Sequence, residues 1–133
     1  MNKITHPRIL ALVPTFQQST LRGMEINDYN EVIQSITELV EDLPDSANAD
    51  YDESRNNLVA LHYFYAGSDW WIKDWNPKYK EFFGYVCLND DTEMAEYGYI
   101  NVEELVNNGK VELDFYWTPK TFKEVIKKLK RRS

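Results

Sequence analysis

The chain has 133 residues, of which 43% are hydrophobic and 14% aromatic, and its formal net charge at pH 7 is −7. This length suits one domain, residues 1–133, and the apolar content excludes a disordered chain. Since no apolar run is long enough for a membrane span or a signal-peptide core, we expect a cytoplasmic protein that does not contact a membrane.

The N-terminal third predicts helices. Residues 4–16 predict a short helix that ends near Pro14. The segment NDYNEVIQSITELVEDLP has apolar side chains at helical spacing and predicts an amphipathic helix over residues 28–43, with Asp28 as its N-cap residue. Residues 45–57 are almost free of apolar side chains, which predicts an exposed polar loop.

From Leu58 onward the pattern changes to strands. Segments dense in β-branched and aromatic residues predict five strands, at residues 58–66, 69–75, 81–89, 95–102 and 111–117. A short helix over residues 102–109 separates the last two. Short turns join the first four strands, so we predict an α+β fold with a roughly five-stranded antiparallel meander over about residues 58–117.

The last residues predict a C-terminal helix over 119–131, with Thr118 as its N-cap residue. Phe122, Val125, Ile126 and Leu129 form an apolar stripe, so this helix is expected to pack on the sheet. Residues 1–118 hold 21 acids and 8 bases (8 − 21 = −13), whereas residues 119–133 hold 1 acid and 7 bases (7 − 1 = +6). An acidic body repels phosphate, so nucleic acid is not expected as a partner. A nucleic-acid arm formed by the basic helix is the weaker alternative.

The segment SDWWIKDW contains three tryptophans in a predicted strand. Alternation places Trp70, Ile72 and Asp74 on the face opposite Trp71, Lys73 and Trp75. We expect Trp70 and Ile72 to pack under a helix, and Trp71 and Trp75 to lie partly exposed beside tyrosines of neighbouring strands. The candidate ligand or partner surface therefore comprises Trp71, Lys73, Trp75, Tyr97 and Tyr99.

Signals for catalysis or metal binding are weak. There is no glycine-rich phosphate loop and no nucleophile elbow, so no catalytic residue and no cofactor is predicted. The only cysteine, Cys87, lies in an apolar run and is expected to be buried and unreactive. His62 is expected to be a hydrogen-bonded core residue. The acidic residues lack the spacing of a calcium loop, so we predict no metal site and assign them to a solvated acidic surface, comprising Asp90, Asp91, Glu93, Glu96, Glu103, Glu112 and Asp114.

Four segments between residues 61 and 120, LHYFYAGSDWWIKDW, EFFGYV, EYGYINVEEL and VELDFYWTPK, follow one another in an order that resembles a known family. That family comprises small bacterial and phage proteins, the domain of unknown function numbered 2958. The resemblance covers about half of the chain, and residues 17–57 depart from the family pattern. It implies a cytoplasmic accessory protein of a phage or other mobile element and carries over no catalytic residue. The matching residues are Tyr63-Phe64, Trp70-Trp71, Asp74-Trp75, Phe82-Phe83-Gly84, Gly98-Tyr99-Ile100, Glu104-Leu105 and Asp114-Phe115-Tyr116.

Two functional hypotheses follow. The first is a protein-binding module without enzymatic activity, whose acidic body imitates nucleic-acid charge and antagonises a host DNA-binding or defence protein. The alternative is a small-ligand-binding or hydrolytic domain that uses the aromatic sheet face with Asp69, Asp74 or His62. Sequence alone leaves open the partner, the oligomeric state and whether the protein is an enzyme.

Overall fold

The structure, a computed structural model, describes residues 7–51 and 57–132. The helices in these ranges are α1 (Pro7–Leu10), α2 (Thr15–Arg22), α3 (Ile26–Glu41), α4 (Val102–Val106) and α5 (Phe122–Lys130). The strands are β1 (Leu58–Val59), β2 (Leu61–Tyr65), β3 (Ser68–Asn76), β4 (Glu81–Cys87), β5 (Glu96–Asn101), β6 (Glu112–Leu113) and β7 (Lys120–Thr121).

The main sheet has five antiparallel strands in the order β5-β4-β3-β2-β6. This confirms the predicted α+β fold with helices before and after the sheet. Strands β2 to β5 form a meander, after which the chain passes through α4 to the opposite edge, where β6 pairs with β2. Strands β1 and β7 form a separate two-stranded ladder.

The two faces of the sheet are covered differently. The first face contacts α1 to α4 around Leu61, Ile72 and Phe82, whereas the second face contacts α5 around Trp71 and Cys87. The prediction that the C-terminal helix packs on the sheet is therefore confirmed. Cys87 is fully buried as predicted, and this burial raises the pKa of its thiol.

Helix α3 begins earlier than predicted. Its first residue is Ile26, and the carboxylate of Glu25 accepts hydrogen bonds from the N–H groups of Asn27 and Asp28. Asp28 is thus not the N-cap residue; it lies in the first turn, where its charge suits the helix dipole. The predicted helix over 4–16 is also wrong in extent, since α1 has only four residues and residues 4–6 lie outside the described ranges.

Helix α2, which the sequence did not predict, positions β6. The side chain of buried Gln17 donates to the carbonyl of Leu113 at 3.1 Å and accepts from its N–H at 2.8 Å. Both backbone polar groups of Leu113 thus have a partner on α2.

The C-terminal part of the fold is more segmented than predicted. The strand predicted over 111–117 is reduced to β6, because Asp114 accepts a hydrogen bond from the N–H of Tyr116 and the chain turns. Helix α5 starts at Phe122 with Thr121 as N-cap residue, not at 119 with Thr118. The reason is that Lys120 and Thr121 pair with β1 before the helix begins. Ala60 likewise interrupts the predicted first strand between β1 and β2.

The predicted polar loop over 45–57 is anchored at its start. The N–H of Ser46 donates to the carbonyl of Trp75 at 2.9 Å, and the Tyr51 hydroxyl donates to Asp74 at 2.6 Å. Residues 47–50 are exposed as predicted, and residues 52–56 lie outside the described ranges.

A β-bulge at Lys73 decides where the tryptophans point. The β3–β4 register shifts between Ile72 and Asp74, so alternation restarts and Trp75 joins the core of the first face, while Trp71 belongs to the second. Trp71 and Trp75 are only 6% and 7% exposed, so the prediction that they share a partly open face is wrong. Ile72 is fully buried as predicted. Trp70 is half-buried at the rim of the first-face core.

Candidate binding surface

Strand β5 forms an open edge of the main sheet. It has six residues and pairs only with β4, whereas the opposite edge is the two-residue β6. A strand without a second neighbour presents unpaired N–H and C=O groups to its surroundings. In the described part of the chain, β5 is therefore the longest strand available for pairing with another chain.

Aromatic rings cover the second face next to β5. We call Phe83, Tyr85, Tyr97 and Tyr99 the aromatic strip. The Phe83 ring lies 6.0 Å from Tyr97 and 5.1 Å from Tyr99 between centroids, and Tyr97 also contacts Phe122 at 5.5 Å. Tyr97 is 47% exposed and Tyr99 74% exposed. The strip thus runs from beneath α5 to the open edge, where Tyr99 is largely exposed and Tyr97 about half exposed.

The first face beside β5 carries a shallow groove of about 310 Å³. We call it the Trp70 groove. Leu88 at its border is 52% exposed, and Trp70 is half-buried. Apolar surface therefore flanks the open edge on both faces of the sheet. The groove is lined by Trp70, Val86, Leu88, Tyr99, Ile100, Asn101, Glu104, Leu105, Asn108 and Val111.

Carboxylates lie at both ends of β5. Asp90, Asp91 and Glu93 precede the strand and Glu96 begins it, while Glu103 and Glu104 follow in α4. Two of these six have basic neighbours: Glu103 binds Lys80 at 2.7 Å, and Asp90 lies 3.8 Å from Arg132. No described basic side chain forms an ion pair with the other four. We call Asp91, Glu93, Glu96 and Glu104 the acidic frame.

The structure brings together only part of the predicted sites. Tyr97 and Tyr99 lie side by side in the aromatic strip. Lys73 lies beside the same strip, since its ammonium group is 5.7 Å from the Phe83 ring centroid. Trp71 and Trp75 are buried and take no part in this surface. Of the predicted acidic surface, Glu112 and Asp114 lie at or just after β6, at the opposite edge of the sheet.

A second polar cluster lies where α5 ends. His62 Nε2 lies 2.8 Å from Asp69 Oδ1, and Arg132 donates to Asp69 Oδ2 at 3.0 Å. The His62 ring stacks on Trp71 at 5.6 Å, so this histidine is the hydrogen-bonded, largely buried residue that the sequence predicts. Burial alone would raise the pKa of Asp69, but the hydrogen bonds and charges of His62 and Arg132 bring it below its usual value.

We expect Asp69→Asn to lower the free energy of unfolding by about 1–2 kcal/mol at neutral pH, because the amide keeps an oxygen acceptor for His62 but loses both the carboxylate charge and the oxygen that accepts from Arg132. The Arg132 side chain is 44% exposed, so water screens the pair and limits the loss. Since the pKa of Asp69 is depressed, its stabilisation is complete above the ordinary carboxyl pKa and disappears as pH falls through the folded value.

Urea denaturation at stepped pH measures this difference. The gap in the free energy of unfolding between the native chain and Asp69→Asn should be open at pH 5 and should narrow as pH falls below about 4. Asp91→Asn, at an exposed residue of the acidic frame, serves as the control and should stay close to the native chain throughout. A gap that widens on acidification would contradict the role given to Asp69.

The two carboxyl groups that bracket the tryptophans do not form a catalytic pair. Asp69 and Asp74 are five residues apart on β3, which at about 3.3 Å per residue separates their backbones by roughly 15 Å. Glycosidase carboxyl pairs are about 5–9.5 Å apart. Asp74 instead accepts the Tyr51 hydroxyl near the other end of the strand.

Within residues 7–51 and 57–132, no three His, Cys, Asp or Glu side chains lie where they could hold one metal ion. Every helix in these ranges is too short or too polar to traverse a bilayer. Family models, curated proteins and solved structures were each compared with the chain, and none gives a match. The family resemblance thus stays a prediction.

Sequence reasoning missed Arg132 and the Trp70 groove. Arg132 looks like one more base of a basic tail, and only the path of α5 across the second face brings it to Asp69. The groove joins side chains from β3, β4, β5 and α4, which no local pattern connects. The acidic frame, in contrast, is visible in the sequence as acidic residues on either side of an aromatic strand.

Proposed function

We propose that this chain is a protein-binding module that receives an extended, basic segment of a partner protein as an added strand along β5. The observation that supports this most directly is that the open edge and the rings of Tyr97 and Tyr99 are exposed at the same strand. Tyrosine is enriched where proteins bind each other, because it combines a large apolar ring with a hydrogen-bonding hydroxyl.

Strand addition would use both the backbone groups of β5 and the apolar surfaces beside it. The backbone of a bound segment would pair with the outward N–H and C=O groups of β5, which supplies affinity independent of sequence. Side chains of the added strand alternate between faces. One set would contact the aromatic strip, and the other would reach the Trp70 groove, so both apolar surfaces are buried by one ligand.

Charge determines the chemistry of the segment. The acidic frame lies at both ends of β5, and residues 1–118 have a net charge of −13, so the approach of a cationic segment is favoured and that of an acidic one is opposed. Lysines or arginines at the ends of the segment would meet the frame, whereas apolar or aromatic residues in its middle would meet Tyr97 and Tyr99.

The partner of this module would be a host DNA-binding or defence protein. The resemblance to the phage and mobile-element family favours a cytoplasmic accessory protein, and the acidity favours a host DNA-binding or defence protein as the target, since such proteins carry basic surfaces. In that role the module would occupy a basic segment that otherwise contacts nucleic acid.

A synthetic peptide tests the strand-addition proposal. We expect a fluorescein-labelled peptide with Lys or Arg at both ends and Val and Tyr in its middle to bind with a Kd on the order of micromolar, and to bind more weakly as salt is added. The double variant Tyr97→Ser/Tyr99→Ser should weaken binding about tenfold or more, because it removes both exposed rings at the edge. Fluorescence anisotropy at two salt concentrations measures both effects.

Matched controls distinguish binding at this surface from non-specific binding. Tyr116→Ser removes a tyrosine that is 60% exposed but lies beyond β6, and it should bind the peptide as the native chain does. A peptide of the same pattern with Glu in place of the bases should not bind. Equal loss in both tyrosine variants, or equal binding of the acidic peptide, would disprove the proposal.

A further inference from the structure

A second cleft, separate from the β5 edge, lies along α5. It has a volume of about 250 Å³ and is lined by Trp71, Trp117, Lys120, Val125, Lys128, Leu129 and Arg132. We call it the Lys128 cleft. Three of its seven lining residues are basic and none is acidic, although the chain as a whole has 22 acids and 15 Lys and Arg. The cleft therefore has a charge opposite to that of the protein.

The rings in the cleft are held in place by contacts outside it. The Trp117 indole N–H donates to the carbonyl of Val59 at 2.9 Å, and its ring lies 4.9 Å from His62 between centroids. His62 in turn stacks on Trp71 with an interplanar angle of 8°. Trp71 and Trp117 are thus fixed before any ligand arrives, which reduces the entropy that binding would cost.

The three basic side chains of the cleft differ in how far other groups of the protein already bind them. The Lys120 ammonium group lies 5.1 Å from the Trp117 ring centroid. Arg132 donates one hydrogen bond to Asp69, but a guanidinium has five donors and this side chain is 44% exposed. Lys128 is exposed, and no described carboxylate forms an ion pair with it. An anion at the mouth would therefore meet the ammonium groups of Lys120 and Lys128 and the remaining N–H donors of Arg132, whose charge Asp69 and Asp90 partly offset.

We infer that the Lys128 cleft binds a small organic anion that consists of a single aromatic ring and a carboxylate or phosphate group. The ring would lie against the indoles and Val125, and the anionic group would reach Lys128, Lys120 and Arg132 at the mouth. The volume is below the usual range for drug-sized ligands, which restricts the ligand to one ring.

Titration with phenyl phosphate, benzoate, inorganic phosphate and benzyl alcohol tests this inference, with intrinsic tryptophan fluorescence as the signal. Phenyl phosphate or benzoate should bind at least about tenfold more tightly than inorganic phosphate or benzyl alcohol, since only the first two carry both ring and charge. Lys128→Ala should weaken binding of the tighter aromatic anion about tenfold. Lys127→Ala, at an exposed lysine of α5 outside the cleft, should leave it unchanged.

Several outcomes would overturn the inference. One is the absence of binding by both aromatic anions at millimolar concentration, and another is equal binding of inorganic phosphate. A third is equal loss in Lys128→Ala and Lys127→Ala, which would indicate attraction to the basic helix as a whole. Lys120→Ala provides a second variant of the cleft. An unchanged affinity in both Lys120→Ala and Lys128→Ala would also disprove the inference. None of these results bears on peptide binding at β5.

Discussion

Gly84→Ala is expected to lower the free energy of unfolding by about 3 kcal/mol or more, the cost of severe overpacking. A Cβ atom on Gly84 would lie 2.1 Å from the carbonyl oxygen of Trp71 and 3.0 Å from its carbonyl carbon. These are backbone atoms of β3, two residues before the bulged Lys73, so the clash cannot be relieved by a side-chain rotation. The strands would have to separate where the register between β3 and β4 shifts.

Urea denaturation of the two glycine variants of one cross-strand pair checks this result. Gly98 lies opposite Gly84 on β5, and a Cβ atom there would meet nothing within 4 Å. Gly98→Ala should therefore change the free energy of unfolding by less than about 1 kcal/mol, in either direction. Equal stability of the two variants would show that the close approach of β3 and β4 at Gly84 is absent.

A chain that ends at Pro119 is expected to be unfolded. The deleted segment contains β7, which pairs with β1, and α5, whose Phe122, Val125 and Leu129 are buried against Trp71 and Cys87. Burial of three such side chains contributes roughly 5–9 kcal/mol, which is comparable with the whole stability of a typical domain, about 5–15 kcal/mol. Circular dichroism in the near ultraviolet should show loss of the fixed aromatic environment.

The double variant Lys123→Gln/Lys127→Gln is the matched control for this truncation. Both lysines are exposed on α5, so the variant lowers the charge of the tail while the buried stripe stays intact, and it should unfold at the same temperature as the native chain. If the truncated chain stays folded and loses only affinity for DNA, the basic helix is a nucleic-acid arm and not part of the core.

The parts of the fold that follow a regular period could be predicted from the sequence. A helical period within a single segment marks the buried stripe of α3 and the apolar face of α5. Each of the strands β2 to β5 is likewise marked by its own run of aromatic and apolar residues. Burial of Cys87 and hydrogen bonding of His62 follow in the same way from an apolar strand.

What could not be predicted depends on single residues that change a period, or on distant segments that meet. The bulge at Lys73 reverses the alternation and buries Trp75 on the face opposite Trp71, although nothing in WWIKDW marks an extra residue. Lys120 pairs with Val59, about 60 residues away in the sequence, and α5 therefore begins only at Phe122. Of the candidate surface, Tyr97 and Tyr99 were predictable because they alternate along an exposed strand, whereas the Trp70 groove requires the tertiary fold.

Residue-resolved amide hydrogen exchange of the peptide complex tests the central claim most directly. We predict that the amides of β5 that point away from β4 gain protection when the peptide with basic ends and an apolar middle binds, while those already paired with β4 change little. Protection confined to α5 and the Lys128 cleft, or no change along Glu96–Asn101 at saturating peptide, would contradict the assignment of β5 as the binding edge.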